Sequence, residues 1–366
     1  MDSKVDSRTG LQPTGKGLLS LLTCVLLLGA IALDGMGGHL LQPTQSLTLP
    51  LMVSAISTAA LGYGVIPVLQ RLKTGQVIRE DGPQSHLKKA GTPTMGGIFF
   101  IPVALLTAVL WSGFNLNVIA VSLLTFVYAA TGWIDDWQIL VRKSNKGISP
   151  RMKLALLIGG AILFCVWSAW TQPPDITTVS LSFGLTLPLG LFYWLLSGFA
   201  LVAESNATNL TDGVDGLAGG TGAIAFLGLS AIVAPTYPGL ALFCACLSGS
   251  CLGFVVHNRN PAKVFMGDTG SLALGGALAA VGIISSHLWG LLIISGIFLV
   301  ESLSVIAQVL YYKATKDENG KGKRLLKMAP IHHHLELTGW SETQIVGTFY
   351  LINAGLVILG VGLSIL

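Results

Sequence analysis

The residues best suited to chemistry in this 366-residue chain are acidic, and they fall in tight groups between long apolar stretches. Asp135 and Asp136 stand side by side at the end of one apolar run. Adjacent helical residues point about 100° apart, so these two carboxylates suit different tasks. Asn206, Asn209, Asp212 and Asp215 recur at every third position, a drift of about 60° per step that lines a curved wall. Asp268 lies between glycines in Phe265-Met-Gly-Asp-Thr-Gly270. A lone carboxylate there suits a hard divalent cation that shares its shell with phosphate oxygens. Helix capping is the structural alternative. His332, His333 and His334 sit in a loop rich in Lys and Arg. Three successive imidazoles do not readily ligate one metal, and hydrogen bonding to a diphosphate or sugar suits them better. A further run from Asp81 through His86, Lys88 and Lys89 to Gly97 offers cations and flexible glycines for phosphate oxygens.

The elements that must position these groups are membrane helices. With 52% hydrophobic residues, 10% charged residues and a mean hydropathy of +0.72, the chain is excluded from the water-soluble globules. A helical crossing takes about 20 apolar residues, and backbone polarity in lipid permits only helices or closed barrels. The apolar stretches mostly lack two-residue alternation, which predicts an all-α polytopic membrane protein. Eleven candidate spans follow: 17–34, 46–70, 95–112, 116–135, 152–170, 184–203, 216–234, 239–256, 271–287, 288–312 and 343–366. With Lys153 at the mouth of its span, alternate loops carry all 21 Lys and Arg, whereas the others hold only Asp34 and Asp175. Positive loops stay inside, so the N-terminus and every polar group above are expected on the cytoplasmic side. The net charge of +4 is then a topology signature, with no nucleic-acid partner implied.

Residues 178–187 alternate polar and apolar, which predicts a short external β-hairpin. The five cysteines lie in apolar spans without a Cys-x-x-Cys pair, against a disulfide framework or zinc site. Glu301, deep in a span and seven residues before Gln308, reads as a buried hydrogen-bonded group. No paired halves suggest a transporter. Lys4, Arg8 and Lys16 ahead of Ala30-Ile-Ala32 allow a cleaved signal peptide. A retained helix is the favoured reading, because the chain already inserts through many later spans. Residues 1–45 are therefore expected to be an extension with one crossing, and 46–366 a single membrane-embedded domain.

Taken together, these groups resemble the polyprenyl-phosphate N-acetylhexosamine-1-phosphate transferases over roughly residues 46–366. Met328-Ala-Pro-Ile-His332-His333-His334, with Asp81-Gly-Pro-Gln-Ser-His86, is similar to the branch that handles a muramoyl-pentapeptide donor. The resemblance implies about ten spans and a site on the cytoplasmic face of the bacterial inner membrane. It implies transfer of phospho-N-acetylmuramoyl-pentapeptide from UDP-N-acetylmuramoyl-pentapeptide to undecaprenyl phosphate, releasing UMP and the first lipid-linked peptidoglycan intermediate. Mg²⁺ held by Asp268 is the implied cofactor, and Asp135, Asp136 and Asp268 are the implied catalytic residues. Lys88, Asp212, Asp215, Asn258, Phe265, Gln308 and His333 match the nucleotide-sugar pocket, with Phe265 stacking the uracil and Asp215 accepting a hydrogen bond from it. Asn206, Asn209, His332 and His334 are further expected substrate contacts, and a homodimer is the expected assembly. The chain departs from the family pattern in its first 45 residues, whose extra segment, if retained, reverses the N-terminal side.

Overall fold

The computed structural model describes residues 13–72, 89, 91–142 and 147–365. Asp81, His86, Lys88, Lys4 and Arg8 lie outside the described residues. The chain is an all-α polytopic membrane protein, with eight helices among the described residues long and apolar enough to cross a membrane. In order the helices are α1 (Gly15–Gly37), α2 (Thr48–Arg71), α3 (Gly97–Trp111), α4 (Leu116–Arg142) and α5 (Pro150–Thr171). There follow α6 (Phe192–Thr211), α7 (Leu217–Val233), α8 (Pro238–Asn258), α9 (Gly267–Ile284) and α10 (Leu288–Ile294). The last are α11 (Gly296–Ala314), α12 (Ile331–Leu337) and α13 (Glu342–Ile365).

The centre of the bundle is α7, α8 and α9, which are almost wholly buried. Small residues allow this, since without a hydrophobic drive between helices close backbone approach supplies the packing. A Cβ at Gly249 or Gly253 on α8 would strike the backbone of α2, and one at Gly275 would strike that of α6. Outer helices turn apolar side chains outward: Leu163 on α5, Leu195 and Phe199 on α6 and Leu310 on α11 are all exposed. Such a surface is stable against lipid tails and not against water.

Local chemistry sets the helix ends. Thr14 caps α1, its hydroxyl accepting from Gly17 N at 3.1 Å, and Ser149 caps α5 ahead of Pro150. Asp34, at the far end of α1, accepts from Leu47 N (2.7 Å), Thr48 N (3.1 Å) and the Ser46 hydroxyl (2.7 Å). One carboxylate thus satisfies the first free N–H groups of α2 and folds α1 and α2 into a hairpin. Leu18, Leu22, Leu26 and Ala30, spaced one turn apart, bury the inner stripe of α1.

Four sequence expectations are corrected. The helix α4 does not stop at Asp135 but runs to Arg142, because Trp137, Ile139, Leu140 and Val141 keep it amphipathic past the carboxylates. Its counterpart α6 starts at Phe192 and runs to Thr211, so Asn206 and Asn209 lie on its last turns and not in a loop. The start of α9 is Gly267, which brings Asp268 onto the helix. The expected span 288–312 is broken at Ser295, where α10 ends and α11 begins. The hairpin is present as β1 (Thr178–Ser180) and β2 (Thr186–Pro188), antiparallel with Val179 opposite Leu187. It is tied to the C-terminal end of α9 by Ser180 N donating to Ser286 O at 3.2 Å. Asp268 is at the other end of that 18-residue helix, about 27 Å away.

Candidate active site

The site is built where α4 crosses the start of α9. Asp136, 4% exposed, accepts from the backbone N–H of Asp268 (3.2 Å) and Thr269 (3.0 Å) and from the Thr269 hydroxyl (2.6 Å). A carboxylate of one helix therefore caps another, satisfying N–H groups that α9 leaves free. The approach is close: a Cβ at Gly132, one turn before Asp136, would overlap the backbone of Asp268. Gly267 adopts φ +73°, a left-handed conformation that L side chains resist, and its Cα faces Asp136 and Thr94. Phe265 pairs its backbone with 93–96, donating to Pro93 O (2.8 Å) and accepting from Gly96 N (2.9 Å). Its ring remains only half-buried, beside the same helix start.

Asp268 projects from this junction. One of its oxygens accepts from Asn209 Nδ2 at 2.7 Å, and the other is ion-paired with Lys153 of α5. Asn209 also donates to Ser271 Oγ at 2.9 Å, which locks its amide. Asp135 stands within hydrogen-bonding reach of Asp268, and its Oδ1 accepts from Ile148 N at 2.8 Å. The two adjacent carboxylates do have different tasks: Asp136 faces inward to cap, and Asp135 faces Asp268 and the 147–148 turn. Asp212, just past α6, is pushed up to about 7 by burial first and then by the negative charges of Asp268 and Asp136. Asp135, Asp136 and Asp212 thus gather around Asp268, which alone of the four is ion-paired with Lys153.

A second polar junction lies alongside. Lys89 bridges Asp215 Oδ1 and Glu342 Oε2, both at 2.7 Å. Burial pulls the Lys89 ammonium down, but the two carboxylates outweigh it and hold its pKa above the ordinary lysine value. Asp215, 3% exposed, also accepts from Ala262 N (2.9 Å) and Asn260 Nδ2 (3.3 Å), so its oxygens are engaged within the protein. Asn258 is engaged likewise, accepting from Gly216 N (2.9 Å) and donating to Val264 O (2.8 Å). The N-terminal end of α1 packs on this junction, Gly15 abutting the Asn260 backbone.

The histidines are not in a solvated loop. They open the short helix α12, with His332 wholly buried and His333 and His334 half-buried. His333 Nδ1 lies 2.6 Å from Glu336, and His334 Nδ1 accepts from Lys327 N at 3.1 Å. Gln308 is spent on the preceding loop: its oxygen accepts from Leu325 N (3.0 Å) and Leu326 N (2.8 Å), and its amide donates to Leu326 O (3.1 Å). Asn206 donates to Val202 O of its own helix at 2.8 Å. The structure brings together Asp135, Asp136, Asn209, Asp212 and Asp268, with Phe265 beside them; His332 reaches them through Gly213. Sequence reasoning missed Thr269, Lys89 and Glu342 as partners, and Lys153, a salt-bridge candidate for Asp135 and Asp136, pairs with Asp268 instead. Lys153 carried a usable signal, since a lone charge in the first turn of a span is costly unless it has a partner.

The chain is a multi-pass helical bundle with carboxylates gathered at one end, and residues 118–286 match the model of glycosyl transferase family 4, which places it among the membrane transferases of that kind. Residues 89–101, which run into the start of α3, match signature 1 of phospho-N-acetylmuramoyl-pentapeptide-transferase. The chain is 67% identical over 361 residues to the phospho-N-acetylmuramoyl-pentapeptide-transferase of Gloeothece citriformis, covering 98% of this chain and 99% of that protein. It is 65% identical over 364 residues to the one of Rippkaea orientalis, covering 99% of each. Against that of a Nostoc species it is 64% identical over 355 residues, covering 97% of this chain and 96% of that protein. The chain belongs to the phospho-N-acetylmuramoyl-pentapeptide-transferase family, and it is a transferase of peptidoglycan synthesis.

Proposed function

We propose that the chain transfers phospho-N-acetylmuramoyl-pentapeptide from UDP-N-acetylmuramoyl-pentapeptide to undecaprenyl phosphate, Mg²⁺-dependently, at the cytoplasmic face of the inner membrane. The observation that carries this reading is the gathering of Asp135, Asp136 and Asp212 around Asp268, itself paired with Lys153, at one end of a lipid-facing bundle. So much negative charge, with oxygen ligands only, fits a hard cation. Mg²⁺ is commonly held by one or two carboxylates and completes its shell with substrate phosphates and water, so a single facing pair is enough. Asp268 and Asp135, facing one another, would hold it, and bound there it would neutralise the charge of the diphosphate.

The chain's own residues supply positioning. Phosphoryl transfer needs alignment and charge neutralisation more than covalent help. A phosphate monoester carries about −1.5 to −2 charge at pH 7, so the lipid phosphate needs little activation. One of its oxygens attacks the phosphorus that carries the sugar, and the bond from that phosphorus to the bridging oxygen breaks, leaving UMP. Asp135 positions the lipid phosphate, Lys153 screens the approach of two anions, and Asp136 fixes the start of α9. Phe265 stacks the uracil, and His333 and His334 hold the sugar-diphosphate. Asn209 works through Asp268. Lys88, outside the described residues, is assigned to the donor phosphates. Asp215, Asn258 and Gln308 serve the donor by fixing the backbone around it. A homodimer is the proposed assembly.

The clustering of Lys and Arg on alternate loops supports a site on the cytoplasmic face. The Asp34 cap and the buried stripe of α1 support its retention. A cysteine at Ser3 is then shielded from impermeant thiol reagents in intact cells, and one at Gln45 reacts. The decisive assay supplies purified protein, Mg²⁺ and undecaprenyl phosphate with UDP-N-acetylmuramoyl-pentapeptide or UDP-N-acetylglucosamine, and reads UMP release. Release with the muramoyl donor alone is expected; release with only the other reassigns the chain to a sister transferase. Donor and Mg²⁺ without lipid should give no stoichiometric burst of UMP. A burst, with phosphosugar trapped on Asp268, would replace direct attack by a covalent route.

A further inference from the structure

A fully buried carboxylate–imidazole pair stands behind the donor-side histidines, and no step of the proposed transfer uses it. The carboxylate is Glu301 on α11, a helix that otherwise turns Val300, Leu303, Ile306 and Leu310 outward. Glu301 and His332 are both 0% exposed, and Nδ1 of His332 lies 3.0 Å from the carboxylate. That is ion-pair distance, though not aligned as a hydrogen bond, and no other described group bonds to the carboxylate oxygens or either ring nitrogen. An ionisable residue facing inward on a lipid-exposed helix is costly to keep without a task. On the far side of the ring, a Cβ added at Gly213 would collide with Nε2. The imidazole is thus wedged between α11 and the turn that joins Asp212 to Asp215. The next ring, His333, packs edge-on against it with centroids 4.2 Å apart. Seven residues along the same face of α11, Gln308 clamps Leu325 and Leu326.

We infer that Glu301 and His332 are a positioning pair for donor recognition. Through His332, Glu301 sets where α12 begins, and therefore where His333 and His334 stand relative to Asp212 and Phe265. Neither residue of the pair touches the reacting atoms. Because Gln308 anchors the loop to the same helix, α11 carries the whole donor-side loop as one piece. This inference rests on the donor assignment proposed above, so the wild-type enzyme serves as its control: no UMP release from the muramoyl donor would defeat that assignment and not the pair.

The test uses the full chain in detergent, with steady-state UMP release measured separately against donor and undecaprenyl phosphate. Glu301→Leu and His332→Asn should each raise the donor KM about tenfold or more, with the lipid KM and thermal midpoint near wild type. Glu301→Gln, which keeps shape and one acceptor, should lose less, and the double variant Glu301→Gln/His332→Asn should be no worse than its weaker parent. If Glu301→Leu does not fold, Glu301→Gln and calorimetric UMP binding decide the matter, since weaker UMP binding by a folded variant supports the pair. Unchanged donor KM, equal losses for both substrates, or strictly additive losses would overturn it.

Discussion

The two sides of the site are held in place by opposite means. On the carboxylate side, Asp136 caps α9 from α4 and backbone approaches backbone at Gly132, all within the buried centre of the bundle. On the histidine side, α12 and its loop hang from α11, which buries only Ile297, Phe298 and Glu301. The carboxylates are positioned by dense packing, and the histidines by a few polar anchors on a helix that faces lipid. Packed interiors tolerate no displacement without a large penalty, whereas a tethered loop shifts at modest cost. Under the proposed function, the contrast predicts that damage to the first side lowers turnover and damage to the second lowers donor affinity.

The largest effect that tests this contrast is at Asp268. Asp268→Asn keeps the shape but removes a charge from the cluster, and kcat should fall by about 10²–10³ or more, with weaker Mg²⁺ dependence and donor KM within a few-fold. A normal kcat with a raised donor KM would erase the contrast. Next comes Gly132→Ala, whose added methyl must push α4 off the Asp268 backbone. Overpacking of this kind costs about 1–3 kcal/mol. Activity and thermal midpoint should fall together, as a packing-held site requires. A smaller effect is expected from Gln308→Ala, which removes three hydrogen bonds to Leu325 and Leu326. Each contributes about 0.5–1.5 kcal/mol net. Donor KM should rise by several-fold to tenfold, with kcat and midpoint hardly moved; a large loss of stability would show the loop to be part of the packed core.

The same contrast explains which features were legible in the sequence. Asp135, Asp136 and Asp268 stood out because a carboxylate beside an apolar span is expensive, and the structure gathers all three. Their partners did not stand out. Lys153 reads as a cation in need of a carboxylate, but its neighbours in the chain do not single out Asp268 on α9, and nothing in Asp136 itself reveals that it caps another helix. Gly213 reads as turn chemistry until His332 is seen against it. The break at Ser295 was hidden because Ser and Gly dilute an apolar window without ending it. Hydropathy reports which residues lie in lipid, whereas caps and breaks depend on the tertiary neighbour that takes up the freed backbone groups.

The smallest expected effect is a pH dependence confined to the carboxylate side. Burial, followed by the nearby Asp268 and Asp136, lifts the Asp212 carboxyl to about 7 from an ordinary 3.8, partly opposed by a hydrogen bond from the Gly267 backbone. Between these values the folded protein keeps a proton that the unfolded chain has released. More protons bound to the folded state means that stability falls as pH rises. The decline should run from about pH 4 to 7 and be complete above that. In detergent with chelator, the wild-type thermal midpoint should therefore fall from about pH 4 to about pH 7 and level off above that. Asp212→Asn carries no such proton, so it should match wild type at the acidic end and exceed it at the alkaline end. Added Mg²⁺ should flatten the wild-type curve, because a cation among the carboxylates stabilises their ionised forms. Parallel curves for the two proteins would show that the sensitivity belongs to other groups, and would remove Asp212 from the cluster that Mg²⁺ is proposed to serve.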